Sequence, residues 1–194
     1  MNGNRKTIAS SPGPRPEIIA AATINPVTYI MEAARSLILD GFDAAVLARG
    51  FLVIAAATVV MSAERAKELG LAPLARLVTY AVAGVPPEIM GIGPVPAVKS
   101  LLEKMSLTLN DIDVFEVNEA FAAQALAVTR ELKLPEDRTN PNGSGISLGH
   151  PIGATGCILV VKALYELKRV GGQLALVTMC IGGGQGIAAL FARD

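Results

Sequence analysis

Along these 194 residues, stretches whose apolar side chains recur every three or four positions alternate with short, unbroken apolar runs. The first pattern predicts helices with one buried face, the second strands. Residues 18–24 read as a short strand ended by Pro26. Val27, Ile30, Met31, Ala34, Leu37 and Ile38 follow helical spacing over 27–39, with Asp40-Gly41 as the stop. Residues 51–61 carry no charge and suit a strand buried on both faces. Ser62 then caps a helix over 63–69, which Gly70 closes. Further on the pattern predicts a strand over 74–85, a helix over 94–105 opened by prolines, a strand over 113–117 and a helix over 120–132. A helix over 157–169 and strands over 173–179 and 187–192 complete the chain, the last two forming a hairpin around Gly182 to Gly186. This order predicts an α/β fold with a mixed, mostly parallel sheet flanked by helices.

Composition narrows the function. Seventeen basic and seventeen acidic residues cancel, which argues against a nucleic-acid surface or a polybasic membrane patch. The longest apolar run, 51–61, is about half of the ~20 residues that a membrane-spanning helix needs. Two cysteines, Cys157 and Cys180, are too few for a disulfide framework, and neither has metal-ligand spacing. A reduced, cytoplasmic setting and no metal are expected. Arg5, Lys6 and Arg15 faintly suggest a transit peptide, but Pro12, Pro14 and Pro16 spoil an amphipathic helix there. Residues 1–16 have too little to bury and are expected to form a mobile arm.

Three loops at predicted strand ends collect the chemistry-bearing residues. In the first, Asn118 and Glu119 follow an apolar strand. Asn118 suits either a helix cap or an amide that orients water or a carbonyl, and Glu119 could answer a helix dipole. The second, residues 140–156, holds five glycines, two prolines and the sole histidine, His150, between Gly149 and Pro151. Such a segment reads as a shaped loop leading into a helix N-terminus. An imidazole there can take and return protons. In the third, Cys180 precedes Gly182-Gly183-Gly184, whose N–H groups could face an anionic oxygen. Cys157 lies on the apolar pattern of its helix and reads as core.

Taken together, Asn118-Glu119-Ala120-Phe121-Ala122, Leu148-Gly149-His150-Pro151-Ile152-Gly153-Ala154-Thr155-Gly156 and Cys180-Ile181-Gly182-Gly183-Gly184-Gln185-Gly186 resemble the C-terminal half of the thiolases, the acetyl-CoA C-acyltransferases. Met61-Ser62-Ala63-Glu64-Arg65-Ala66 and Met90-Gly91-Ile92-Gly93-Pro94-Val95-Pro96-Ala97 agree with it. The resemblance implies thiolysis of 3-ketoacyl-CoA or condensation of two acyl-CoA molecules, with a coenzyme A thioester as substrate and no further cofactor. It implies that Cys180 is the acid–base cysteine and that His150 activates the nucleophile. Asn118 would position a water beside His150 in one oxyanion site, and Gly182 would serve the other, with Gly149 shaping the loop.

The likeness covers residues 55–194 and leaves 1–54 as a segment that does not match the family. The family's nucleophilic cysteine belongs to an N-terminal half that these residues do not include, and neither Cys157 nor Cys180 replaces it. The polar pantetheine loop that the family has upstream is replaced by residues 45–54, which are largely apolar. Ser144, Gly145 and Thr155 stand where the family tends to have glycine, alanine and serine. The expectation is a thiolase-type domain inactive by itself. The alternatives are a non-catalytic interaction or dimerisation module, or one subunit of a split enzyme; its partners are then acyl-CoA, another thiolase half or a second copy.

Overall fold

The computed structural model describes residues 18–21 and 59–193. The expected arm over 1–16, the helix over 27–39, the boundary at 54/55 and residues 51–58 of the expected strand lie outside them. The described strands are β1 (Ile18–Ala21), β2 (Val59–Ser62), β3 (Ala75–Gly84), β4 (Val114–Val117), β5 (Leu174–Ile181) and β6 (Gln185–Ala192). The helices are α1 (Ala63–Glu68), α2 (Pro94–Met105), α3 (Ala122–Leu132), α4 (Gly145–Leu148) and α5 (Thr155–Val170). Short 3-10 turns at Pro87–Ile92, Leu109–Asp111 and Glu136–Arg138 link them. Among these residues no helix is long and apolar enough to cross a membrane.

The strands form one sheet in the order β2-β1-β3-β6-β5-β4. The α/β class and the mixed sheet flanked by helices are as the pattern predicts, but the proportion of parallel pairing is not. Among the described strands β4 and β5 pair in parallel, and the other neighbours are antiparallel. The cause is connection length. Ile181 to Gln185 is a tight turn, which can only return β6 antiparallel to β5, whereas β4 reaches β5 through α3, α4 and α5, long enough for a crossover.

Strand alternation divides the core in two. Leu174 and Leu176 of β5 face one side, with Phe115, Val117, Leu190 and the α2 residues Val95, Ala97, Val98 and Leu101. Ala175 and Val177 face the other, with Val114, Phe191 and the α5 residues Leu159, Ala163, Leu164 and Leu167. Burying each leucine contributes roughly 1.5–3 kcal/mol. Prolines in the first turn of α2 sit where backbone N–H groups have no helical partner. Its start crosses the start of β6 so closely that a Cβ on Gly186 would overlap the Gly93 backbone. Ser62 caps α1 as predicted, accepting from the Arg65 N–H at 3.2 Å.

Candidate active site

Parallel pairing sets the position of the site. Val117 lies opposite Thr178, so Asn118 leaves β4 at the same end of the sheet at which β5 closes with Cys180 and Ile181. The Asn118 N–H extends the ladder by donating to the Thr178 carbonyl at 3.0 Å. Its side chain is fully buried. Asn118 does not cap α3, contrary to one of its two sequence readings. That helix begins at Ala122, with Phe121 at the cap position and no side-chain cap. The four residues after β4 instead run extended or bent, and the Asn118 amide turns toward the second loop.

There Asn118 Nδ2 lies 3.5 Å from His150 Nδ1 and 3.4 Å from Nε2. His150 Nδ1 is 2.7 Å from Thr155 Oγ1, the first residue of α5. The Thr155 hydroxyl in turn donates to the Pro151 carbonyl at 2.9 Å. A hydroxyl has one proton, and spending it elsewhere would set two acceptors face to face at that distance. His150 Nδ1–H is therefore the donor to Thr155, which leaves Nε2 as the unprotonated nitrogen that faces the Asn118 amide N–H at 3.4 Å and can take a proton. Asn118 Oδ1 is buried and accepts no hydrogen bond among the described residues.

The 140–156 loop contains one regular turn, α4, that its glycines and prolines did not predict. It forms because side chains satisfy its ends. Glu119 Oε2 accepts from the Ile146 N–H at 3.2 Å, so Glu119 answers α4 rather than α3. Asn140 behaves as a strand partner for Val117: its Oδ1 accepts from the Val117 N–H at 2.8 Å and its Nδ2 donates to the Val117 carbonyl at 3.0 Å. Ser144 Oγ donates to the same carbonyl at 2.8 Å. An added Cβ at Gly145 would sit 2.5 Å from the Glu119 carbonyl oxygen and 3.3 Å from Asn118 Oδ1. The loop thus lies closer to the Glu119 backbone than an alanine at 145 would permit without a shift. Gly149 ends α4 with φ +92°, a conformation that a side chain would strain.

Cys180 is buried opposite Gly186, and burial pushes its thiol pKa up. By alternation it shares a face with Leu174 and Leu176. It makes no side-chain hydrogen bond to His150 or Asn118 among the described residues; what the three share is the end of the sheet where β4 and β5 close. Gly182 follows in the exposed turn to β6. Cys157 is exposed on α5 and is not core. The buried stripe runs through Thr155, Leu159, Lys162, Ala163, Glu166 and Leu167, and a residue two positions after Thr155 points to the opposite side.

Sequence reasoning missed a buried charged cluster behind this loop. Glu116 of β4 and Lys162 of α5 pair at 2.5 Å, with side chains 0% and 6% exposed. Burial raises the Glu116 pKa to about 7 and outweighs the attraction of Lys162. Glu166 receives Asn142 Nδ2 at 2.9 Å and pairs with Arg169, which with Asn142 holds its carboxyl below the usual range. The signal was present: an acid inside an apolar strand and a lysine on the buried stripe of a helix. A cleft of about 310 Å³ beside this cluster is lined by Asn142, Leu148, Lys162, Tyr165 and Arg169 among others, and by none of Asn118, His150 or Cys180. In the two segments that carry Asn118 and His150, Phe121, Ile146 and Ile152 are 70%, 63% and 86% exposed.

The family described as "Thiolase, C-terminal domain" matches residues 71–193. The chain belongs to the thiolase family. It is 64% identical over 146 residues to beta-ketothiolase BktB of Cupriavidus necator, covering 75% of this chain and 37% of that protein. It is 54% identical over 139 residues to the beta-ketoadipyl-CoA thiolase of Pseudomonas knackmussii, covering 71% and 35%. Among solved structures, the acetyl-CoA acetyltransferase of Bacillus anthracis superposes with a TM-score of 0.68 at 53% identity, covering 71% of this chain and 35% of that one. Human mitochondrial 3-ketoacyl-CoA thiolase in complex with CoA gives 0.68 at 48%, with the same shares. The chain thus spans just over a third of the length of the thiolases it matches.

Proposed function

We propose that the chain is the acid–base half of a thiolase-type acyltransferase acting on coenzyme A thioesters. The observation that carries this reading is the hydrogen-bond relay from Thr155 to His150, with Asn118 against the ring and Cys180 at the same end of the sheet. In thiolysis, a cysteine of the complementary half attacks the 3-keto carbonyl after giving its proton to His150 Nε2. The bond between the α-carbon and that carbonyl carbon breaks, and Cys180 protonates the departing enolate to give acetyl-CoA. Coenzyme A gives its thiol proton to the Cys180 thiolate and attacks the acyl-cysteine; the bond between the acyl carbon and the cysteine sulfur breaks to release acyl-CoA, and the freed cysteine thiolate takes back the proton from His150. A thiol held neutral by burial suits the donor role. Asn118 and His150 hold one oxyanion and the Gly182 N–H the other.

The test is reconstitution. The chain mixed with a separately expressed N-terminal half of a thiolase should cleave acetoacetyl-CoA in the presence of coenzyme A, and each half alone should not. Turnover by the chain alone that survives Cys157→Ala and disappears in Cys180→Ala would overturn the reading.

A second reading, a self-associating interaction module, is favoured by the sheet beyond α5. Tyr80 and Val82 of β3 are 58% and 53% exposed and lie opposite the half-buried Ala189 and Ile187 of β6. Ala189 borders the cluster that α5 packs, and Tyr80 and Val82 extend beyond it as an exposed apolar strip. Light scattering that shows a monomer in dilute solution, with little dye binding, would remove this reading.

A further inference from the structure

We infer that the buried Glu116–Lys162 pair is a positioning element for His150, acting through the carbonyl of Gly143. This rests on the reading of His150 as the proton-transfer group. Burying two charges costs several kcal/mol for each ion, and a paired set seldom improves on apolar packing. The opposite face of the sheet fills equivalent positions with leucine and valine, so stability alone does not account for Lys162. What an ammonium can do there, and a methyl group cannot, is donate to two acceptors at once. Lys162 Nζ donates to Glu116 Oε2 and to the Gly143 carbonyl.

Gly143 opens the segment that ends at His150, and the α4 turn ties that segment together by its own hydrogen bonds. The Leu148 N–H donates to Ser144 and the Gly149 N–H to Gly145, at 2.8 and 3.0 Å. A shift at Gly143 therefore passes to the ring instead of being absorbed on the way. The far end is held by the same helix. Thr155, which takes the His150 Nδ1–H, and Lys162 lie seven residues apart, two turns along one face of α5. A single helix face thus grips both ends of the stretch from Gly143 to His150. Glu116 fixes the lysine head from β4, and Glu166, through Asn142, adds a second hold beside Gly143.

His150 is the sole histidine in the sequence, so its ring resonances report the proposal directly. In the unmodified chain, ring nitrogen spectra should show one neutral tautomer protonated at Nδ1. The Leu148 and Gly149 amides should exchange with solvent within tenfold of the rate of buried α5 amides. Lys162→Met should yield a mixture of tautomers and at least tenfold faster exchange over 143–149, while α2 amides keep their rates. The double variant Glu116→Leu/Lys162→Met, which leaves no unpaired buried carboxylate, should recover the melting temperature and retain the disturbed ring. A well-folded single or double variant with wild-type tautomer and exchange would overturn the inference. So would wild-type loop amides that exchange more than a hundredfold faster than those of α5. None of these measurements involves acyl transfer, so an inactive reconstituted enzyme would count against the proposed function alone.

Discussion

The two faces of the sheet are built differently. On one, α2 packs with aliphatic side chains on Phe115, Val117, Leu176 and Leu190. On the other, the stripe of α5 mixes leucines with Lys162 and Glu166, and β4 answers with Glu116. Apolar packing is non-directional: it stabilises but tolerates small shifts. Buried hydrogen bonds are directional and costly to leave unmade, so they hold atoms in place. The face with the charges is the face against which the His150 loop lies. The α2 face supplies stability and the α5 face supplies position.

The largest effect that separates the two faces is expected from Leu101→Ala on α2. Leu101 is fully buried, and its truncation should cost about 2–5 kcal/mol in denaturant unfolding. The ring spectrum of His150 should be unchanged in the variant wherever it is folded. A shifted tautomer in Leu101→Ala would break the division of labour.

Next in size is a pH effect on the α5 face. The Glu116 pKa stands at about 7, raised by burial from an ordinary 4.5, with Lys162, Glu166 and Glu119 as the charges that face it. The folded chain therefore holds this proton more tightly than the unfolded one. The resulting stability is complete below about pH 4.5 and is lost as pH rises through 7, at most about 3 kcal/mol. Glu116→Gln should flatten stability between pH 5 and 7.5, measured by unfolding at each pH. Glu166, whose pKa is lowered, works oppositely, losing its contribution as pH falls below the ordinary carboxylate range. An unchanged slope in Glu116→Gln would show that the pair is not the titrating element.

The smallest effect lies far from both faces. Ser62→Ala removes the α1 cap and should cost about 1 kcal/mol, with no change in ring spectra or loop exchange.

How much of this was legible in the sequence follows from which interactions are local. The α2 helix appears where its prolines and apolar spacing place it, and the hairpin between β5 and β6 turns at the glycines. Asn118 follows β4 as its context suggested, whereas Cys180 lies within β5 and His150 in the loop between the turn at Glu136–Arg138 and α5. Of the two readings of Asn118, the cap fails because its amide faces a residue 32 positions away rather than the next helix turn. Cys157 was misplaced because an apolar residue near a helix start fits the periodicity by composition while facing outward. The strand partnership of Asn140 with Val117 and the clasp of Lys162 on Gly143 pair residues far apart in sequence, and no local pattern encodes which distant group a buried amide or ammonium will find.

In the proposed reaction Cys180 moves the proton at the α-carbon while the nucleophile comes from the complementary half. Exchange of the acetyl-CoA methyl protons into deuterated water, catalysed by the reconstituted pair, tests it most directly. With wild-type chain, deuterium should enter the methyl group. With Cys180→Ala, exchange should fall by roughly 10²–10⁴-fold, while acetylation of the complementary cysteine persists. Exchange that continues undiminished in Cys180→Ala would contradict the assignment.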